Sequence, residues 1–271
     1  MKIINKLFTL PALLLCICIN AEPFDSTYIA EPSATSLLKN ANIYDGEGNE
    51  FFGYDVLIVN GKIEAIGLNL LSKANNTVEY DLSGMWVTPG IIDLHSHMGV
   101  YSAPGVKTSS DGNESTSPVT ADVWAEHSVW TQDPQFSLAL QGGVTTFHVL
   151  PGSANLIGGR GTTFKNVQSN TIQGMKFPDA PHSLKMACGE NPKRVYGSRR
   201  QAPSTRMGNI AGYRKAWIKA SKYRENMNTY ESKSAEAKEI VSPPTRDLEM
   251  DTLAGVLNGE ILVQNHCYRA E

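Results

Sequence analysis

Two histidines one residue apart, His95 and His97, stand at the end of the apolar run "VTPGIIDLHSHMG" (87–99). Alternate residues of a β-strand point to the same side, so the two imidazoles project together while Ser96 faces away. A pair of neutral imidazole nitrogens on one face forms half of a metal site. Zinc and similar ions take such donors at about 2.0–2.1 Å, and a catalytic site adds further ligands and an open position for water. Taken alone, the same spacing also suits two hydrogen-bonded histidines in a loop. A second residue of unusual chemistry is Lys185 in "HSLKMAC" (182–188). If Leu184, Met186 and Cys188 share the face that meets helices, Lys185 and Ala187 turn toward the interior. An ammonium group there is costly to desolvate and has a lowered pKa. Glu190, just beyond in "CGENPKR", is the competing oxygen ligand.

The elements that must hold these residues read as an α/β fold. "GVTTFHVL" (143–150), "GTTFKNV" (161–167), "HSLKMAC" and "EILVQNHC" (260–267) are short apolar runs separated by helical or loop material. That is the pattern of parallel strands joined by crossovers. Between the last two, Ile210, Tyr213, Trp217, Ala220 and Met227 recur at helical spacing, and "TRDLEMDTLAGVLNG" adds a second helix that Asn258-Gly259 stops. Ahead of these runs, residues 37–86 predict a small antiparallel β module. Its clearest signal is Asn60-Gly61, a two-residue hairpin turn whose central residues both take φ > 0. The glycine-rich "IGGRG" (157–161) lacks the Lys-Ser/Thr of a phosphate loop and predicts a tight turn or lid. His127, His148 and His182 are expected to be structural.

The beginning of the chain has a different character. "MKIINKLFTLPALLLCICINA" (1–21) places Lys2 and Lys6 before an apolar run from Leu7 to Ile19 and ends on Ala21, the layout of a secretory signal peptide. The run is shorter than the roughly 20 residues a spanning helix needs, so no stable membrane anchor is expected. Export follows, to a periplasmic or secreted location, and residues 22–36 read as a polar leader. With 41% apolar residues and a formal charge of −3, the chain is globular and gives no reason to expect nucleic acid as a partner. Removal of the signal leaves Cys188 and Cys267, whose pairing cannot be read from sequence. Lys and Arg predominate between Lys193 and Glu249. Most of that run reads as a solvated helix face, but Arg194, Arg199 and Arg200 follow a strand and offer guanidinium groups to a substrate carboxylate or phosphate.

"GMWVTPGIIDLHSHMG", following a compact β module, resembles the amidohydrolase superfamily. Val87, Pro89, Gly90, Ile91, Ile92, Asp93, His95 and His97 match its "V-x-PG-[FL]-[IV]-D-x-H-x-H" segment, and "GGVTTFHVLPGS" looks like the second barrel strand of its imidazolonepropionase-like and prolidase-like branch. The resemblance implies a (β/α)8 TIM barrel preceded by part of a β-sandwich, with 37–86 in the sandwich and 87–271 holding barrel strands one to five. It implies one or two divalent ions, zinc foremost, held by His95, His97 and His266. Lys185, carboxylated, is the bridging ligand in two-metal relatives, with Glu190 as the alternative. The catalytic aspartate of an eighth strand has no counterpart in this sequence, so the chain is expected to be the amino-terminal, inactive part of a longer enzyme. The implied activity is hydrolysis of a C–N bond in a small amide, cyclic amide or peptide-like substrate by metal-activated water. The alternatives are a lactonase, phosphoesterase or deaminase on the same scaffold, or an exported binding protein without metal.

Overall fold

A computed structural model describes residues 23–72 and 76–267. The segment 1–21 read as a signal peptide lies outside the described residues. Five strands build the first sheet: β1 (Ser36–Tyr44), β2 (Glu50–Val59), β3 (Lys62–Gly67), β4 (Val78–Asp81) and β5 (Trp86–Val87). Asn60 and Gly61 take φ of 52° and 73° and turn β2 back on β3 as an antiparallel hairpin, as their sequence requires. The sheet is mixed, however, where an antiparallel module was expected. β4 and β5 both run parallel to β1 and pair with it along the edge opposite β2. Ala41, Ile43 and Val56 form a small core on this sheet.

The second sheet positions the chemistry. It contains β6 (Ile91–Ser96), β7 (Val144–Val149), β8 (Ile157–Lys165), β9 (Ser183–Cys188) and β10 (Leu262–Cys267), paired in the order β10-β9-β8-β7-β6. β6 and β10 are the outermost strands, and in a flat sheet spaced by about 4.8 Å they would lie about 19 Å apart. The rings of His95 at one edge and His266 at the other are 5.2 Å apart between centroids. The sheet is therefore curled into an open half-barrel, concave toward its histidines.

Two of the sequence expectations fail at β8. It runs antiparallel to both β7 and β9, and "IGGRG" lies within this strand rather than in a turn or lid. The cause is the length of the connection: residues 150–156 are too few for a parallel crossover, which takes a dozen or more, so the chain returns as a hairpin. Glycine suits that strand because its neighbours approach closely. A Cβ on Gly161 would stand 2.5 Å from Leu150 Cδ2 and 2.8 Å from His148 Nε2.

Helices α1 (Gln135–Gln141), α2 (Ile172–Met175), α3 (Glu190–Gly197), α4 (Arg206–Glu231), α5 (Ala235–Ile240) and α6 (Leu248–Asn258) fill the connections. Asp247 caps α6 by accepting from the Met250 amide, and Gly259 ends it in the left-handed conformation at φ 82°. Ala216 and Ala220 of α4 and Met250 and Leu253 of α6 bury the outer face of β9 through Leu184 and Met186. That packing turns Lys185 inward. Among the described residues no helix is long and apolar enough to cross a membrane.

Candidate metal centre

The C-terminal ends of β6 and β10 bring three histidines together across the curled sheet. The His95 ring is 5.2 Å from His97 and 5.2 Å from His266, edge to face in both cases. Imidazoles that share one tetrahedral ion at about 2.0–2.1 Å have centroids about 5 Å apart, so this spacing fits a common ion. Lys185, 1% exposed, rises from β9 between them, with Nζ 2.9 Å from His95 Nε2. Two of the rings are anchored through their other nitrogen. His97 Nδ1 lies 2.8 Å from the Leu150 carbonyl oxygen, and His266 Nδ1 lies 2.6 Å from Ser153 Oγ. A carbonyl only accepts, so His97 carries its proton on Nδ1 and presents a lone pair at Nε2.

Electrostatics favour neutral donors. Burial and then the Lys185 charge lower the His95 pKa to about 4. Burial also lowers those of His97 and His266. Desolvation alone pulls Lys185 down to about 8, and among the described residues no Asp or Glu is paired with it. As placed, no three His, Cys, Asp or Glu side chains among the described residues form a ready metal cluster, and His95 Nε2 faces the Lys185 amine. The donor set nevertheless fits a divalent ion: imidazoles held neutral at the right spacing, and beside them a buried amine whose pKa is lowered to about 8.

Other candidate residues lie elsewhere. Glu190 is exposed in the first turn of α3. Arg194, Arg199 and Arg200 are exposed on α3 and the turn after it, and none contacts the histidines. Arg194 donates to Asn191 Oδ1 at 3.2 Å, and Arg199 donates to the Ser115 carbonyl at 2.6 Å. His148 is a satisfied core residue, its nitrogens 2.8 Å from Thr163 Oγ1 and 2.6 Å from Ser183 Oγ. His182 precedes β9, near Thr162, and His127 stacks on Trp124. Cys188 and Cys267, register partners at the ends of β9 and β10, form a disulfide with Cα atoms 4.9 Å apart. Sequence reasoning missed Ser153 and Tyr101, whose ring edge meets His97 at 5.7 Å. The available signal for Ser153 was its place just past the second strand of the expected barrel, since loops at strand C-terminal ends build the sites of such folds.

A curled α/β sheet with histidines converging at its strand ends is a scaffold of metal-dependent hydrolases. No family model matches the chain. It is 31% identical over 268 residues to the amidohydrolase tasK of Hapsidospora irregularis, which covers 89% of this chain and 27% of that protein. It is 43% identical over 84 residues to a dihydroorotase of Lactobacillus leichmannii, covering 30% of this chain and 18% of that enzyme. An amidohydrolase structure from Thermotoga maritima MSB8 matches with a TM-score of 0.77 and 38% identity, over 87% of this chain and 58% of that one. The chain is similar to these amidohydrolases and spans only part of the length of each of them.

Proposed function

We propose that this chain carries the metal-binding part of an exported hydrolase that cleaves a C–N bond in a small amide, cyclic amide or peptide-like molecule. The observation that carries the reading is the meeting of His95, His97 and His266 from opposite edges of one sheet around buried Lys185, whose amine faces His95 and is paired with no carboxylate among the described residues. His95, His97 and His266 would hold a zinc ion, and Lys185, carboxylated, would add an oxygen donor and bridge to a second ion. Exposed Glu190 is the weaker alternative. A bound ion would supply Lewis acidity toward a water and a substrate carbonyl. The protein's own contribution is to keep its imidazoles neutral at physiological pH, with those of His97 and His266 fixed through Nδ1, and to lower the pKa of the Lys185 amine so that its neutral form can react with carbon dioxide. Arg194, Arg199 and Arg200, exposed on the segment after β9, are proposed to meet an anionic group of the substrate. Residues 1–21 are proposed as the export signal.

Metal analysis of the intact protein tests the central assignment. Wild-type protein is expected to carry one or two equivalents of zinc, and His95→Ala and His97→Ala each to lose at least one of them. Unchanged metal content in both variants would overturn it.

A further inference from the structure

The segment joining β7 to β8 touches two of the three histidines, although they sit on opposite edges of the sheet. Its Leu150 carbonyl meets His97 Nδ1, and its Ser153 hydroxyl meets His266 Nδ1. The segment itself is firmly seated. Leu150 N–H donates to the Ser96 carbonyl and Gly152 N–H to the Gly112 carbonyl. Ala154 N–H donates to Asn113 Oδ1. A Cβ on Gly152 would lie 2.2 Å from Asn113 Nδ2, so the segment has little room to shift. Ser153 is 9% exposed, which leaves its hydroxyl largely shielded from bulk water.

We propose that Ser153 is a positioning residue for the metal centre: it accepts the Nδ1 proton of His266 and so turns the Nε2 lone pair toward the ion. The inference rests on the metal reading above and deepens it. The chemistry is that of a ligand's tautomer. If the serine donated to Nδ1, the proton would sit on Nε2 and block coordination; by accepting, it fixes the competent form and raises the basicity of the ligating nitrogen. The Leu150 carbonyl does the same for His97 through the main chain. One short connection thereby sets the tautomers of histidines from β6 and β10, and only the half made by Ser153 is open to substitution.

The test uses the intact protein, with zinc affinity measured by competition against a chromophoric chelator and with the visible absorption of the cobalt-substituted form. Ser153→Ala is expected to bind zinc about 10–100-fold more weakly and to change the cobalt spectrum. Ser153→Thr, which keeps the hydroxyl, should restore both. The metal-free Ser153→Ala protein should retain the wild-type circular dichroism and melting midpoint, separating ligand positioning from a folding defect. A Ser153→Ala protein with wild-type affinity and spectrum would overturn the role of Ser153 alone, as would a Ser153→Thr protein no better than the alanine variant. Wild-type protein that takes up no zinc overturns the metal reading, and this inference with it.

Discussion

The curled sheet encloses two groups of buried basic residues, and they are built on opposite principles. Near the start of β9, Lys176 and Glu126 form an ion pair at 2.8 Å, their side chains 7% and 2% exposed. Thr162 Oγ1 adds a bond to the same carboxylate, and His148 is satisfied at both nitrogens. Two residues beyond the start of β9, Lys185 is just as buried, but the partner of its amine is the His95 imidazole, with no carboxylate paired to it among the described residues, and its pKa falls to about 8. A paired lysine is a structural part. An unpaired one among neutral histidines costs stability, and that cost makes sense where the amine or its carbamate has chemistry to do.

The sharpest way to break this contrast is to remove each ammonium in turn. Lys176→Met leaves the Glu126 carboxylate buried without its cation, and Glu126 Oε1 already has no hydrogen-bond partner among the described residues. The expected cost is about 3–5 kcal/mol in urea unfolding. Lys185→Met, by contrast, removes a charge that folding must desolvate, so the metal-free protein is expected to be unchanged in stability or slightly more stable. Its zinc content should nevertheless drop. Equal destabilisation by the two variants would erase the distinction and make Lys185 structural. A smaller effect is expected from Gly161→Ala, whose added methyl meets Leu150, Ser183 and His148 within 3 Å. Overpacking of that kind costs about 1–3 kcal/mol. Retention of the wild-type melting midpoint would show that this end of the sheet gives way more easily than its contacts imply.

How far the sequence could be read follows from how local each signal is. The hairpin at Asn60-Gly61, the Gly259 stop and the alternation that turns Lys185 inward depend on near neighbours, and each has the predicted geometry. The direction of β8 does not. Its apolar run looks the same whichever way it is traversed, and the short 150–156 connection was the overlooked clue. Nor could spacing reveal that Ser153 meets His266, 113 residues away, or that Cys188 and Cys267 join in register. The arginines after β9 were singled out by charge and position, and Arg194 and Arg199 also make local hydrogen bonds, to Asn191 and to the Ser115 carbonyl.

The last effect expected is a slope, small at any one pH near neutrality. Burial lowers the pKa of His148, and separately that of His182, from 6.5 to about 4. In the unfolded chain each takes up a proton as pH falls through about 6.5; in the folded protein neither does until about 4. Over that window the unfolded state binds more protons, so acidification favours it. Stability should therefore be fully present above pH 6.5 and decline between 6.5 and 4. Carboxylates titrate at the lower end of the same range, which makes the comparison with a variant the informative quantity. His148→Gln keeps a donor and an acceptor for Thr163 and Ser183 but cannot take up the proton. Its unfolding free energy in urea, measured metal-free at several pH values between 7 and 4.5, should fall less steeply than that of wild type, by at most about 1.4 kcal/mol per pH unit. Parallel slopes would mean that His148 accepts a proton in place without disturbing its two hydroxyl partners. The contrast between the two groups of buried residues would then rest on the lysines alone.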